Sequence, residues 1–170
     1  QVALHSESYI DTTGSIEYTN RVLNTTQAFI CNSRPRRFGK SITADMLTAY
    51  YSIGADSKEM FQGLSIASSK DFATHLNQYQ VIHLDIQWCM QAVGSSEKVI
   101  DYITKNTICE LRKLYPNCLT SEIHSLPDAL SLINADSGKK FIVIIDEWDI
   151  LIRDEANNQA IQDEYINFLR

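Results

Sequence analysis

The run FIVIID, at residues 141–146, limits the possible folds of this chain more than any other stretch of its sequence. Strands that are apolar at every position are typical of parallel sheets covered by helices on both faces, because a face exposed to water would carry polar residues at alternate positions. Segments with helical periodicity separate this run from the other strand-like stretches. The sequence therefore predicts an α/β fold with a mainly parallel sheet.

The remaining apolar patterns predict two further strands and five helices. The strands are expected at 28–31 and at 81–88, where alternating apolar and polar residues indicate one buried face. The helices are expected at 15–23, from 40 onward, at 95–115, at 125–133 and from about 155 onward. Thr12 or Thr13 is expected to cap the first helix. The second helix is expected to have an apolar face and to end at Gly54, its apolar face being formed by Ile42, Met46, Leu47 and Tyr50. The fourth helix is expected to begin with a capping box of Ser125 and Asp128 and to be followed by Gly138.

Composition argues against several classes of function. The net charge of −6 disfavours binding of nucleic acid through bulk charge, although Arg34, Arg36 and Arg37 form a local basic cluster. The four cysteines have no CxxC spacing and no adjacent histidine pattern, so no zinc site is expected. No apolar run is long enough to span a membrane, and the N-terminus lacks the apolar segment of a signal peptide. We therefore expect a cytoplasmic protein that does not enter membranes.

The stretch SRPRRFGKSIT, at residues 33–43, ends like a phosphate-binding P-loop. Such a loop joins a strand to a helix, and its backbone N–H groups surround a polyphosphate together with the helix N-terminus. Here a strand is expected before the loop, and an amphipathic helix begins at Lys40. The lysine would reach the β- and γ-phosphates, and the Ser41 hydroxyl would bind Mg²⁺. Taken alone, Gly39-Lys40-Ser41 is a short motif that also occurs by chance on surface turns.

A second motif, at the end of the apolar run, supports the first. Asp146 and Glu147 follow the strand as in a Walker B motif. An Asp in this position can hold Mg²⁺ through water, and the adjacent Glu can polarise the attacking water as a general base. Solvated acids at a strand end are the alternative interpretation. Because two halves of one magnesium–phosphate site occur in the expected order on the expected elements, the sequence predicts a nucleotide site.

The loop departs from the usual pattern at its first position, where Arg34 replaces glycine. That glycine mainly permits a backbone geometry, while the N–H groups that bind phosphate lie nearer the helix, so a slightly reshaped loop can tolerate the change. Pro35 stiffens the loop, and Phe38 is expected to pack beneath it. Arg36 and Arg37 either bind phosphate or form a solvated, salt-bridged loop. Residues 34–42 as a whole are predicted to surround the nucleotide.

These stretches resemble the predicted AAA-ATPase-like family of bacteria and archaea. The resemblance covers nearly the whole chain, and it is carried by YIDTTGSIEYTNRVLN, FICNSRPRRFGKSITADMLTAYYS, GADSKEMFQGLSIA and FIVIIDEWDILI. Members of that family have a strand, then a Pro-Arg-Arg-Phe-Gly-Lys-Ser loop, and a later Asp-Glu-Tyr/Trp-Asp. The resemblance implies that Arg34 is the normal residue at its position, so the loop is a variant P-loop and not a decayed one.

The resemblance also implies a three-layer P-loop NTPase fold of the additional-strand class, related to AAA and STAND proteins. It implies that Lys40 contacts phosphate and assists catalysis, that Ser41 and Asp146 hold Mg²⁺, and that Glu147 is the catalytic base. The ligand would be ATP.

In these relatives the stretch before the first strand helps to hold adenine, which falls here on Tyr9, Ile10 and Asp11. The usual Asp-Lys-Thr of the family is Asp11-Thr12-Thr13 in this chain, so no role of that lysine is expected. In this class a strand later in the sequence lies between the P-loop strand and the Walker B strand and carries a sensor residue. We therefore expect residues 1–170 to be one AAA-ATPase-like domain truncated before its C-terminal strands. Many members also carry a nuclease-like domain, which is a possible fused partner.

Three functions remain open from the sequence. The first is an Mg²⁺-dependent ATPase, in which a water oriented by Glu147 attacks the γ-phosphate. The second is a regulatory switch that binds ATP with little turnover, which the missing sensor strand favours. The third is a DNA-interacting module that uses Arg34, Arg36 and Arg37, which the overall acidity disfavours.

Overall fold

The computed structural model of this chain describes residues 10–32, 39–120 and 122–170. The chain divides into two compact units, Gln1–Val81 and Ile82–Arg170, and each unit has its own packing. Among the described residues, every helix is too short or too polar to cross a lipid bilayer.

The described part of the first unit is helical. Its elements are α1 (Gly14–Val22), α2 (Lys40–Tyr51), α3 (Lys58–Gln62), a 3₁₀ turn at Ser65–Ser68 and α4 (Phe72–His75). Tyr50 and Tyr51 are buried at the end of α2 and pack edge to face, with ring centroids 5.0 Å apart. The Tyr51 hydroxyl donates to Asn20 Oδ1 at 2.7 Å, and Asn20 Nδ2 donates to the Tyr50 hydroxyl at 3.2 Å. Because their hydroxyl groups are hydrogen-bonded, the cost of burying these polar groups is offset, and the two tyrosines join α1 to α2.

Asn77 closes the C-terminal end of α2. Its Nδ2 donates to the carbonyl oxygens of Ala49, Tyr50 and Ser52 at 3.0, 3.3 and 3.1 Å. Its Oδ1 accepts from the Ser57 hydroxyl at 3.1 Å. The last carbonyls of a helix have no intrahelical N–H partner, so the Asn77 side-chain amide supplies the N–H donors that the helix backbone lacks there. Asn77 also has a left-handed backbone with φ of +55°, a conformation that asparagine tolerates better than most residues.

We expect Asn77→Ala to destabilise the first unit by about 2–4 kcal/mol, because it removes several partly buried hydrogen bonds and places alanine, which disfavours the left-handed conformation, at positive φ. Asn77→Gly loses the same hydrogen bonds without the backbone strain, so it should be about 1 kcal/mol more stable than Asn77→Ala. Urea unfolding of the three proteins measures both differences. Equal stability of wild type and Asn77→Ala would show that the closure of α2 does not depend on this side chain.

The second unit contains a small parallel sheet and helices. Strand β1 spans Gln80–Asp85, and its residues from Ile82 onward belong to this unit. It pairs with β2 (Phe141–Asp146). The helices are α5 (Ile86–Val93), α6 (Val99–Leu114, preceded by a 3₁₀ turn at Ser96–Lys98), α7 (Leu126–Ser137), α8 (Ile150–Asp154) and α9 (Gln159–Leu169). One core cluster includes Leu84, Ile86, Val99, Ile103, Leu151 and Tyr165, and another includes Ile108, Leu111, Leu126, Ala129 and Ile133.

Several of the expected elements are confirmed. The helix α7 begins where Ser125 Oγ accepts from the Asp128 N–H at 3.5 Å, and it ends at Gly138, whose φ is +67°. The apolar run forms β2 over its full expected length. The helices α1, α2, α6 and α9 lie close to their expected positions. Thr13 occupies the N-cap position of α1 but makes no side-chain cap, because its hydroxyl is bonded to Asp11 instead.

The strand expected at 28–31 is wrong. Residues 28–32 form no β-bridge with any described residue, and Phe29 and Ile30 are 94% and 45% exposed. A short apolar run becomes a strand only where a neighbouring strand completes its hydrogen bonds. The sheet of the described residues consists of β1 and β2, and it offers no such neighbour to this run.

The strand expected at 81–88 is only partly right, because β1 ends at Asp85 and α5 begins at Ile86. The Asp85 carboxylate accepts from the Trp88 N–H at 2.9 Å, which caps the helix. In α5 the residues Ile86 and Cys89 lie three positions apart and both are buried. This helical spacing, and not the alternating pattern expected of a strand, matches the buried face of the segment.

The expectation of complete burial for β2 is also wrong, since Val143 in its centre is 44% exposed. Only one strand neighbours β2 among the described residues, so it is not the central strand of a covered sheet there. The observed class is α/β with a small parallel sheet and mostly helices. The larger three-layer P-loop sheet stays a prediction.

Candidate functional site

The first candidate element is the N-terminus of α2, where Gly39 is the N-cap residue and Lys40 the first helical residue. Gly39 has a left-handed backbone with φ of +74°, while a Cβ added there would meet no atom within 4 Å. The glycine is therefore required by backbone conformation and not by lack of space. Thr43 secures the turn, because its N–H and its hydroxyl both donate to the Gly39 carbonyl at 2.9 Å.

The first turn of α2 has features that favour an anion. It carries no acidic residue, and no side chain of the described residues caps it. The unpaired N–H groups and the helix dipole of such a turn favour negative charge. Lys40 is partly buried and Ser41 is exposed at this end of the helix. Ile42, expected on the buried face, is 49% exposed, because the buried face of α2 is formed by Ala44, Met46 and Tyr50.

The rest of the predicted loop, Arg34, Pro35, Arg36, Arg37 and Phe38, lies outside the described residues. Tyr9, one of the three residues expected at adenine, also lies outside them. The contacts predicted for these residues stay predictions.

Of the other two residues expected at adenine, Ile10 is 79% exposed and Asp11 is held in place. Asp11 Oδ1 accepts from the N–H and the hydroxyl of Thr13 at 2.8 and 2.6 Å, and its Oδ2 accepts from the Ser65 N–H at 2.7 Å. The Thr13 hydroxyl in turn accepts from the Ile66 N–H at 3.2 Å. The carboxylate therefore joins the start of α1 to the 3₁₀ turn at Ser65–Ser68, which the sequence did not indicate.

The same bonds set the charge of Asp11. Partial burial alone would raise the pKa of this carboxyl, but the hydrogen bonds from Thr13 and Ser65 outweigh it and lower the pKa to about 2. The ionised form is therefore the bonded form over the whole physiological range.

We expect stability to depend on Asp11 below neutral pH. The folded pKa of about 2 lies below the ordinary value of 3.8, so the contribution is complete above about pH 4 and is lost as the pH falls toward 2. Because the group is largely solvated, its contribution is about 1 kcal/mol or less. Unfolding free energies of wild type and Asp11→Asn should therefore converge between about pH 4 and pH 2. A difference that stays constant across this window would contradict the assignment.

The second candidate element is the carboxyl end of β2. Asp146 is the last residue of the strand and is 7% exposed. Its Oδ1 accepts from the Glu147 N–H at 2.9 Å. Glu147 follows with a left-handed backbone, φ of +50°, which costs a residue with a Cβ about 1–2 kcal/mol. Strained backbone of this kind is found preferentially at functional sites.

Two residues for which the sequence predicted no role at this site hold the segment after Glu147. Arg153 donates to Asp149 Oδ2 at 2.7 Å, and its other terminal nitrogen lies 3.9 Å from Glu147 Oε2. The Tyr165 hydroxyl donates to the Trp148 carbonyl at 2.9 Å. The i,i+4 spacing of Asp149 and Arg153 could have indicated their ion pair. The bond from Tyr165, 17 residues away, has no local sequence signal.

Burial raises the pKa of Tyr165, and the nearby Asp149 carboxylate adds to the effect. The hydroxyl therefore keeps its proton and acts as a donor. Asp149 Oδ1 is buried and has no hydrogen-bond partner among the described residues. This end of β2 is thus acidic, has a strained backbone at Glu147, and contains a buried carboxylate oxygen without a hydrogen bond among the described residues.

The structure brings the predicted residues together as two groups. Gly39, Lys40, Ser41 and Ile42 share one helix turn in the first unit, and Asp146 and Glu147 are adjacent in the second. The family comparison covers both groups. The family model described as "Predicted AAA-ATPase" matches residues 2–170. Comparisons with curated proteins and with solved structures gave no match. Since the family match spans almost the entire sequence, this chain belongs to the predicted AAA-ATPase-like family.

Proposed function

We propose that the chain binds ATP and that its native activity is Mg²⁺-dependent hydrolysis of the γ-phosphate. The observation that carries this proposal is the family match over residues 2–170, within which both phosphate-site motifs occur. The first turn of α2, which carries no acidic residue, and the acidic end of β2 are local structures of the kind that such motifs require.

In this proposal the triphosphate binds at the first turn of α2. The N–H groups of Lys40 and Ser41 face this end of the helix, and the Lys40 ammonium adds a positive charge that can reach the β- and γ-oxygens. Arg34, Arg36 and Arg37 precede the turn and are proposed to add charge-assisted bonds to phosphate. No acidic side chain in the first turn opposes the ligand.

The residues present suit Mg²⁺. Among the described residues no group of three or more His, Cys, Asp or Glu could enclose a metal. Mg²⁺ does not need such a group, because it keeps several waters and is usually held by one or two side chains together with phosphates. In this proposal the ligands are Ser41 and Asp146, as the sequence predicts. Among the described residues, Asp146 Oδ1 accepts one hydrogen bond, from the Glu147 N–H. When bound, the ion neutralises charge on the β- and γ-oxygens.

The proposed step is in-line attack of water on the γ-phosphorus. The new P–O bond forms as the bond to the β–γ bridging oxygen breaks, giving ADP and inorganic phosphate. Glu147 accepts a proton from the attacking water and releases it to solvent afterwards. The Glu147 side chain is 22% exposed, so it is not sealed from water.

The second candidate function is a switch that binds ATP and hardly hydrolyses it. The observation that favours it is the 3.9 Å approach of Arg153 to Glu147. In a switch, an arginine at this distance occupies the side of the carboxylate oxygen that would otherwise face the attacking water.

Binding and turnover must be measured separately to test the proposal. Calorimetric titration with ATP, with GTP and with ATP plus Mg²⁺ should give saturable 1:1 binding that favours ATP. Phosphate release under the same conditions should be Mg²⁺-dependent. Binding without turnover supports the switch, and no binding of either nucleotide at millimolar concentration rejects both functions.

A further inference from the structure

The segment from Asp146 to Asp149 is fixed by contacts that come from outside it. Tyr165, on α9, is buried, and its hydroxyl donates to the Trp148 carbonyl at 2.9 Å. Arg153, on α8, donates to Asp149 Oδ2 at 2.7 Å. The peptide after Glu147 is therefore held from two different helices.

Glu147 needs this restraint because its backbone is strained. A left-handed conformation at a glutamate relaxes unless the surrounding structure holds it. The Glu147 carbonyl also accepts from the Ile150 N–H at 3.1 Å, which ties it to the start of α8. Arg153 contributes a second time, since its guanidinium lies 3.9 Å from Glu147 Oε2, within ion-pair distance of that side chain.

We propose that Arg153 and Tyr165 are positioning residues for the Glu147 carboxylate. In this role they act through the Trp148 carbonyl, through Asp149 and through the Glu147 carboxylate itself, and not by binding nucleotide. This inference rests on the proposed hydrolytic function for its kinetic consequence, but the restraint itself exists in the protein without nucleotide.

Kinetics test the consequence. Arg153→Ala should lower kcat about 10-fold with KM changed less than about twofold, because a base displaced by a fraction of an ångström loses rate and not ground-state binding. Arg153→Lys should recover part of the loss, since it keeps the charge but not the paired donors. Tyr165→Phe should lower kcat about threefold, because it removes only one hydrogen bond.

Two variants serve as matched controls. Lys105→Ala breaks another i,i+4 ion pair of the second unit, with Asp101, whose length is also 2.7 Å. Tyr102→Phe removes a hydroxyl that has no hydrogen bond among the described residues, from a ring packed on the same core cluster as Tyr165. Both should leave kcat unchanged. If kcat fell as much in Lys105→Ala as in Arg153→Ala, or as much in Tyr102→Phe as in Tyr165→Phe, the loss would reflect general destabilisation, and the proposal would be overturned.

Amide hydrogen exchange at Glu147, measured without nucleotide, gives a readout independent of activity. Its N–H donates to Asp146 Oδ1, so loosening of the segment should speed exchange in Arg153→Ala and Tyr165→Phe but not in the controls. Unchanged exchange overturns the restraint. Faster exchange with unchanged kcat overturns the positioning role. If wild type does not hydrolyse ATP, the proposed function fails, and the exchange data still decide whether these residues hold Glu147.

Discussion

Lys40→Ala is expected to weaken ATP binding by about 10- to 100-fold. The substitution removes one charge-assisted contact to phosphate, and such a contact contributes about 1.5–3 kcal/mol. Alanine is a good helix former and Lys40 is the first residue of α2, so the helix itself should be retained. The measurement is calorimetric titration with ATP in the presence and absence of Mg²⁺.

The matched control is Lys58→Ala. Lys58 is also the first residue of a helix, α3, in the same unit, but no phosphate motif precedes it. The Lys58→Ala variant should bind ATP with the affinity of wild type. If Lys40→Ala and wild type bind equally well, the nucleotide does not use this helix end, and the assignment of Gly39, Lys40 and Ser41 is wrong.

Glu147→Gln is expected to lower ATP turnover by about 10²- to 10⁴-fold while leaving the ATP affinity within about threefold of wild type. The amide has nearly the shape of the carboxylate but cannot accept the proton of the attacking water. Single-turnover phosphate release measures the chemical step, and a nucleotide titration on the same protein measures binding. Glu155→Gln, a substitution just after α8, is the control for loss of a nearby negative charge.

The backbone strain at Glu147 gives this prediction a second part. Glu147→Gly should lose activity as Glu147→Gln does, yet unfold at a free energy higher by about 1 kcal/mol, because glycine adopts φ of +50° without the cost of a Cβ. Comparing Glu147→Gly with Glu147→Gln would then separate the backbone strain at this position, seen in the unfolding free energy, from the catalytic role of the carboxylate, seen in the turnover. Equal, slow turnover in wild type and Glu147→Gln would instead favour the switch function.

Elements with local chemical markers were predictable from the sequence. Ser125 and Gly138 delimit α7 because capping and left-handed termination depend on a few adjacent residues. The run ending in Asp146 becomes β2 because uninterrupted apolar residues with β-branched side chains favour a strand. Of the candidate site, the sequence indicated Gly39, Lys40 and Ser41 at the start of a helix and Asp146 and Glu147 at the end of a strand, and the structure has these elements there.

Elements that depend on a neighbour were not predictable. Residues 28–31 are apolar enough for a strand, but no described strand lies beside them. Ile86 and Trp88 fit the alternation of a strand, yet the Asp85 cap and the core around Ile86 make this stretch a helix. A pattern of two or three residues cannot distinguish these outcomes, because the deciding contacts come from elsewhere in the fold.

By itself the sequence determined the family, the α/β class and the places of the two motifs that we propose to bind the nucleotide, since each of these depends on residue type and spacing. Only the tertiary structure decided how Glu147 is held and how α2 is closed. Tyr165 reaches the Trp148 carbonyl across 17 residues, and Asn77 reaches the Ala49 carbonyl across 28. Hydrogen bonds over such separations form only after the chain has packed, so no local pattern in the sequence encodes them.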